Sequence, residues 1–300
     1  MNRNYELNCR FLIFYFVVIA LFLTACQNKG QQDDGSERVS ESSSLVEGKE
    51  GVWSDFDFSD LDAVKNPDIG EQKLVDFIYS ISEYDSNQRK SAIDNMLEGA
   101  YREKESYKHF LSLFNHYLYN PNSPMQSDII YESVLEFATS HPLGEDAEDF
   151  RNKELYELVK KNQPGQIAEN FSALLPNGKV LNLSDIKSKY TLLFFYEPGC
   201  QYCEEVIQNY RSHPSINQLI EGEKLTVFAI YPYGELAAWE AYQNQLPNGW
   251  VNGIDKELKI IKSKLYDIKA TPTIYLLDED KKVIYKDVDA EDVLYVLEEM

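Results

Sequence analysis

The chain has 300 residues, which is enough for two domains of modest size. Its 29 basic and 50 acidic residues give a formal net charge of −21, which argues against nucleic acid and anionic lipid headgroups as partners. The chain contains only four cysteines, so each of them can be assigned a separate fate.

Residues 1–25 have the pattern of a secretory signal sequence. Two arginines accompany an apolar run over residues 11–23, and a small-residue cleavage site ends in Leu23-Thr24-Ala25-Cys26. This site resembles the lipobox of bacterial lipoproteins, which implies cleavage before Cys26, loss of Cys9 and acylation of Cys26. An uncleaved transmembrane anchor is disfavoured, because the apolar run is shorter than the roughly 18 residues of a spanning helix.

The residues after Cys26 predict a tethered protein of the cell envelope. Gln27 stands where aspartate would suggest retention in an inner membrane, so by analogy with lipoprotein sorting we expect the outer membrane, facing the periplasm or the surface. Residues 26–52 are polar and nearly devoid of large apolar side chains, which predicts a flexible tether. An extracytoplasmic compartment is oxidising, so a dithiol there needs a supply of electrons.

Residues 53–163 have helical periodicity and predict an all-α domain of about five antiparallel helices. The apolar faces at spacing i, i+3, i+4, i+7 include Leu74, Phe77, Ile78 and Ile81. Asp85 and Ser123 are predicted helix caps, and Ser123 precedes a helix predicted over residues 124–140. The last helix of this domain is predicted over residues 146–161. The many aromatic residues and the pair His109 and His116 indicate core packing rather than a binding groove or a metal site.

Residues 164–300 alternate apolar strands with amphipathic helices, which predicts a mixed sheet covered on both faces. A hairpin is predicted around residues 176–178, and helices are predicted over 235–245 and 257–266 and from Ala290. The predicted strands are residues 171–174, 179–183, 190–196, 225–231, 273–277 and 283–288.

Cys200 and Cys203 lie directly after the buried strand 190–196 and open a predicted helix over 201–211. A cysteine in the first helical turn meets the positive end of the helix dipole and free backbone N–H groups, which favour the thiolate. The second cysteine lies within one turn and can close a disulfide on the first. This placement predicts thiol–disulfide exchange through a mixed disulfide, in which Cys200 attacks and Cys203 resolves.

From residue 164 to 300 the chain resembles thioredoxin-fold domains, nearest the TlpA/ResA-like branch of membrane-tethered thiol–disulfide oxidoreductases. The matching segments are Asn177 to Asp185, the strand running into Cys200-Gln-Tyr-Cys203, and Ala270 to Asp278 with its Thr271-Pro272-Thr273. The resemblance implies an α/β thioredoxin-like fold and a cis Thr271–Pro272 bond that exposes the Thr271 backbone to an extended substrate segment. An ordinary proline at the start of a strand is the alternative.

The predicted function is therefore that of an extracytoplasmic thiol–disulfide oxidoreductase which reduces substrate disulfides. Its expected partners are disulfide-containing extracytoplasmic proteins, an electron-donor protein, and a membrane reached through the lipid on Cys26. No cofactor and no metal are expected. The Gln-Tyr dipeptide between the cysteines matches no familiar redox class, so the expectation of reduction comes from the resemblance to the family's reductases.

The chain departs from the family pattern at several positions. Phe194 stands where thioredoxins carry a buried aspartate, Val206 stands where the branch often has glutamate, and Gly199 replaces a usual tryptophan. Three nearby carboxylates are interpreted as solvated charges rather than site residues; they are Glu197, Glu204 and Glu205.

Four alternative functions compete with the oxidoreductase. A structural disulfide would close so small a loop that it contributes only about 2 kcal/mol. A peroxidase would need threonine or serine at Glu197, and a copper carrier would need a histidine late in the domain, whereas the last one is His213. The remaining alternative is a lipoprotein that binds a peptide or glycan and uses its thioredoxin-like domain mainly as a scaffold.

Overall fold

The computed structural model describes residues 52–299, which form a helical half followed by a half built on a β-sheet. We call residues 52–163 the helical half and residues 164–299 the sheet half. The predicted signal sequence, Cys9, Cys26 and the predicted tether up to residue 51 lie outside the described residues. Within 52–299, no helix is both long enough and apolar enough to cross a membrane.

The described part of the helical half contains six α-helices and a π-helical turn at Pro67–Glu71. The helices are α1 (Leu61–Val64), α2 (Gln72–Ile81), α3 (Ser86–Tyr101), α4 (Lys104–Leu118), α5 (Asp128–Ser140) and α6 (Asp146–Val159). Asp85 caps α3 as predicted, because its carboxylate accepts hydrogen bonds from the backbone N–H groups of Asn87 and Gln88.

The helical half has a hydrophobic core of its own. Leu74, Phe77 and Phe110 are at most 3% exposed, so the predicted apolar faces of α2 and α4 point inwards. Burial of each such side chain contributes roughly 1.5–3 kcal/mol. Three aromatic residues of the helical half do not follow the prediction of core packing, since Tyr79, Tyr101 and Phe150 are 78%, 41% and 65% exposed.

The predicted helix start at residue 124 is wrong. Ser123 belongs instead to a turn, in which its hydroxyl donates a hydrogen bond to the carbonyl of Tyr117 at 2.6 Å. The helix begins at Asp128, and Ser127 provides its cap. Two serines with suitable spacing are therefore present, and the local fold of the turn selects the second.

The described part of the sheet half contains seven strands and five α-helices. The strands are β1 (Ser172–Leu174), β2 (Val180–Asn182), β3 (Tyr190–Phe195), β4 (Leu225–Tyr231), β5 (Val251–Ile254), β6 (Thr273–Leu277) and β7 (Val283–Lys286). The helices are α7 (Gln201–Ser212), α8 (Pro214–Glu221), α9 (Leu236–Tyr242), α10 (Lys259–Lys262) and α11 (Ala290–Glu298), with 3₁₀ turns at Leu183–Asp185 and Gln243–Gln245.

The sheet is mixed, with strand order β2-β1-β5-β4-β3-β6-β7. Strands β3, β4 and β5 run parallel, while β6 is antiparallel to β3. On β3, Leu192 and Phe194 face a core that includes residues of α7, α8, α9 and α11, and Leu193 and Phe195 face a second core on the other side. Because successive side chains of a strand point to opposite faces, a strand covered on both sides is apolar throughout.

Three elements of the sheet half differ from the prediction. The predicted helix over 257–266 is reduced to α10, because the residues after it are held in an irregular segment by contacts with the helical half. The prediction lacks α8 and β5. In β5, Gly253 lies so close to β1 that a Cβ atom there would be 2.8 Å from the Cβ of Ala173. The glycine interrupts the apolar run, so the sequence pattern of this segment does not predict a strand.

Candidate active site

A tight turn carries the chain from β3 into α7. The N–H of Cys200 donates to the carbonyl of Glu197 at 3.1 Å, with Pro198 and Gly199 between them. Gly199 has φ +84°, a backbone conformation that residues other than glycine rarely adopt. Proline followed by glycine with positive φ is typical of a type II turn. The turn therefore requires glycine at the position before the first cysteine.

Cys200 is the N-cap residue of α7 and is partly exposed. Its Sγ accepts a hydrogen bond from the N–H of Cys203 at 3.2 Å and donates one to the carbonyl oxygen of Thr271 at 3.4 Å. The predicted attacking sulfur thus lies at the surface, between a helix N-terminus and the loop before β6.

Cys203 is buried, with an exposed fraction of 0%, on the face of α7 that packs against the sheet. Both cysteines are free thiols in the structure. Burial, together with the hydrogen bond to Cys200, raises the pKa of Cys203 to about 12, whereas interactions with the Glu197 backbone and the Thr271 side chain oppose the rise. Cys203 is thereby kept as a protonated, covered thiol beside Cys200.

The Thr271–Pro272 peptide bond is cis, as the resemblance implies. Thr271 contacts both cysteines, through its carbonyl with Cys200 and through its side chain with Cys203. Sequence reasoning assigned Thr271 and Pro272 to substrate binding and missed the contact of Thr271 with both sulfurs. No sequence signal reports that contact, because it depends on how two distant segments meet.

The sheet brings these segments together. Strands β3 and β6 are antiparallel neighbours, with Phe195 opposite Thr273. The end of β3, which leads to Cys200, therefore lies beside the start of β6, which follows Pro272. Residues separated by about 70 positions in the chain become direct neighbours through this register.

A groove of about 1080 Å³ lies between α7 and α9, next to the turn before Cys200. Its lining includes Pro198 and Gly199 from the turn and Glu204 and Glu205 from the exposed face of α7. These two carboxylates and Glu197 are exposed, in agreement with their interpretation as solvated charges.

The sequence of each half matches a known protein family. Residues 179–300 match the family described as "Thioredoxin-like domain", and residues 49–162 match "Domain of unknown function (DUF5106)". A "Thiol-disulfide oxidoreductase ResA" of Bacillus cereus is 30% identical over 130 residues, which cover 42% of this chain and 70% of that protein. The chain belongs to the thioredoxin-like family of thiol–disulfide oxidoreductases.

A second relative and a solved structure extend this family assignment. The "Thiol-disulfide oxidoreductase ResA" of Bacillus anthracis is 30% identical over 128 residues, covering 42% of this chain and 69% of that protein. The crystal structure of a thioredoxin-like protein from Bacteroides caccae ATCC 43185 is 36% identical and covers 82% of this chain and 89% of its own, with a TM-score of 0.78. That likeness spans more than the sheet half, so it includes residues of the helical half.

Two departures from the thioredoxin-like pattern are placed in the core by the structure. Phe194, at the position of the family's buried aspartate, is 0% exposed and belongs to the same core as Cys203. Val206, where the TlpA/ResA-like branch often has glutamate, is 3% exposed in that core. Neither position supplies a proton acceptor for Cys203.

The same core of this thioredoxin-like domain contains a buried polar network that the sequence did not indicate. The side-chain oxygen of Asn252 accepts hydrogen bonds from the hydroxyl of Tyr196 at 3.0 Å and from the indole N–H of Trp239 at 2.8 Å. Asn252 belongs to β5, the strand that pattern analysis missed. Among residues 52–299, no group of three or more His, Cys, Asp or Glu side chains is placed to hold a metal ion.

Proposed function

We propose that this protein is an extracytoplasmic thiol–disulfide oxidoreductase that reduces substrate disulfides through a mixed disulfide with Cys200. The observation that carries the proposal is the asymmetric pair of sulfurs. Cys200 is partly exposed beside the Thr271 carbonyl, while Cys203 is covered and has a raised pKa. The exposed sulfur is accessible to a substrate disulfide, whereas the covered sulfur reacts only after the mixed disulfide has formed on Cys200.

In the first step the thiolate of Cys200 attacks one sulfur of the substrate disulfide. The substrate S–S bond breaks, a new S–S bond joins Cys200 to the substrate, and the second substrate sulfur leaves as a thiolate that takes up a proton. The Thr271 backbone, beside the attacking sulfur, pairs with the extended substrate segment that carries the disulfide.

In the second step Cys203 gives up its proton and attacks Cys200. The mixed disulfide breaks, the remaining substrate sulfur leaves as a thiol, and Cys200 and Cys203 become joined. The substrate has then gained two electrons and two protons. Because the pKa of Cys203 is raised, its deprotonation must accompany its attack, and the side chain of Thr271 stabilises the developing thiolate.

A donor dithiol in the cell envelope must reduce the Cys200–Cys203 disulfide to close the cycle, since an oxidising compartment does not supply these electrons. We place the protein on the outer membrane, held by a lipid on Cys26 and facing the periplasm or the surface. The sequence pattern of residues 1–26 supports this location.

A Cys203→Ser variant tests the proposal by trapping. Without the resolving sulfur, Cys200 is expected to accumulate mixed disulfides with envelope proteins, seen as adducts that disappear on reduction. Mass spectrometry of the captured proteins should identify exported proteins that contain cysteines. The matched control is the double variant Cys200→Ser/Cys203→Ser, which should capture none. Equal capture by both variants would contradict the proposal.

A further inference from the structure

The segment that leads into the cis peptide is held by the helical half. We call residues 263–270 the approach segment; it runs from the end of α10 to the cis peptide and forms neither helix nor strand. The carbonyl of Lys264 accepts a hydrogen bond from the side chain of Lys161, and that of Leu265 accepts one from the side chain of Asn162, both at 2.8 Å. The first part of the segment therefore takes its position from the end of the helical half.

The second part of the approach segment contacts the helical half through charged groups. The hydroxyl of Tyr119, just after α4, donates to a carboxylate oxygen of Asp267 at 3.0 Å. The ammonium of Lys269 lies 3.0 Å from Asp128, the first residue of α5, and 3.4 Å from Asp267. A third carboxylate, that of Asp287 after β7, lies 2.9 Å from the same ammonium.

We call these five residues, Tyr119, Asp128, Asp267, Lys269 and Asp287, the interface cluster. The side chains of Lys269, Asp267 and Asp128 are only 3%, 4% and 8% exposed. Buried charges are stable only with partners at close range, so each of these groups holds the others in a narrow range of positions. The cluster fixes the ammonium of Lys269 between the two halves.

Lys269 is two residues before Thr271, so their Cα atoms are separated by at most about 7.6 Å of chain. On the other side, the hydroxyl of Thr273 donates to the carbonyl of Ala270 at 2.6 Å and ties the loop to β6. A displacement of Lys269 is therefore passed to Thr271, whose carbonyl and side chain contact Cys200 and Cys203.

We propose that the helical half acts as a positioning element for the active-site loop, with Tyr119 and Asp128 as its positioning residues. Neither residue touches a cysteine; they act through Asp267 and Lys269 on the backbone of Thr271. This proposal rests on the proposed function, because it concerns the presentation of a substrate segment to Cys200. A protein substrate has to pair with the Thr271 backbone, whereas a small disulfide does not.

The test compares two substrates in the double variant Tyr119→Phe/Asp128→Asn, which leaves the sheet half unchanged in sequence. With insulin as the protein disulfide, we expect kcat/KM to fall by about tenfold. A displacement of the Thr271 backbone on the order of an ångström is enough to lower the rate by this factor. With hydroxyethyl disulfide as the small substrate, we expect the rate to stay at the wild-type value. The ratio of the two rates is the diagnostic quantity, because a general loss of folded protein lowers both rates alike.

The matched control is Phe110→Leu, a change in the core of the helical half. The aromatic contacts of Phe110 are with Trp53, Phe56, Phe58 and His109, none of which belongs to the interface cluster. It is expected to lower stability and leave the ratio of rates unchanged. If the double variant does not fold, Tyr119→Phe alone removes one hydrogen bond and should shift the ratio in the same direction. An unchanged ratio in the folded variant would overturn the positioning role while leaving the proposed function intact. A wild-type protein that reduces neither substrate would instead refute the proposed function.

Discussion

Replacing Cys200 by serine is expected to abolish disulfide reduction, lowering the rate by a factor on the order of 10³ or more. A serine hydroxyl cannot form a disulfide, so the covalent intermediate with the substrate is lost. Cys203 cannot replace it, because it is 0% exposed and has a pKa raised to about 12. The measurement is the rate of insulin reduction by the purified variant with a chemical electron donor.

The Cys200→Ser change separates chemistry from folding. Cys200 caps α7 by accepting a hydrogen bond from the N–H of Cys203, and serine is a preferred residue for that role. The variant should therefore unfold at the temperature of the wild type or above while being inactive. A variant that kept more than about a tenth of the wild-type rate would contradict the role of Cys200 as the attacking sulfur. Such a rate would correspond to an increase in activation free energy of less than about 1.4 kcal/mol.

Replacing Lys269 by methionine is expected to lower the free energy of unfolding by about 3–5 kcal/mol. Burial alone would lower the pKa of Lys269, but the carboxylates of Asp128, Asp287 and Asp267 together raise it above its usual value. These carboxylates depend on the ammonium in the same way. Without it, Lys286 is the remaining ammonium in the described residues that forms an ion pair with any of the three, and its partner is Asp128. Burial already raises the pKa of Asp267, which indicates that its charge is costly there.

Chemical denaturation of the Lys269→Met variant measures this loss. The matched control is Lys104→Met, which removes an ion pair with Glu145 whose lysine side chain is 53% exposed. An exposed pair contributes about 0–1 kcal/mol, so this variant should unfold close to the wild type. Equal losses in the two variants would contradict the account of the interface cluster as a buried network that joins the two halves.

Much of the site could be predicted because its signals are local. The apolar run of β3, the two cysteines at a helix start and the Thr271-Pro272 dipeptide each belong to a short stretch of sequence. The structure places Cys200 within 3.4 Å of the Thr271 carbonyl, and the antiparallel pairing of β3 with β6 accounts for that contact. The fold class was predictable for the same reason, since strand and helix periods alternate clearly through the sheet half.

The missing parts depend on contacts between distant segments. No sequence motif distinguishes Asp267 and Lys269 from the many other charged residues of the chain, and their burial depends on contacts with the helical half. The predicted helix over 257–266 ends early because that network and Asn162 hold residues 263–270 in another conformation. β5 is hidden because Asn252 and Gly253 interrupt its apolar run, and both are buried only through neighbouring elements.

The most direct test of the central claim is a redox titration of the wild-type protein against dithiothreitol or glutathione couples, read by thiol alkylation and mass. A reductase built on Cys200 and Cys203 should show one reversible two-electron transition. The number of alkylated thiols should be two in the reduced protein and zero in the oxidised protein. Its midpoint should lie near or below about −270 mV, the potential of thioredoxin. A midpoint towards about −120 mV would contradict a reducing role, and oxidation without a Cys200–Cys203 disulfide would contradict the exchange mechanism itself.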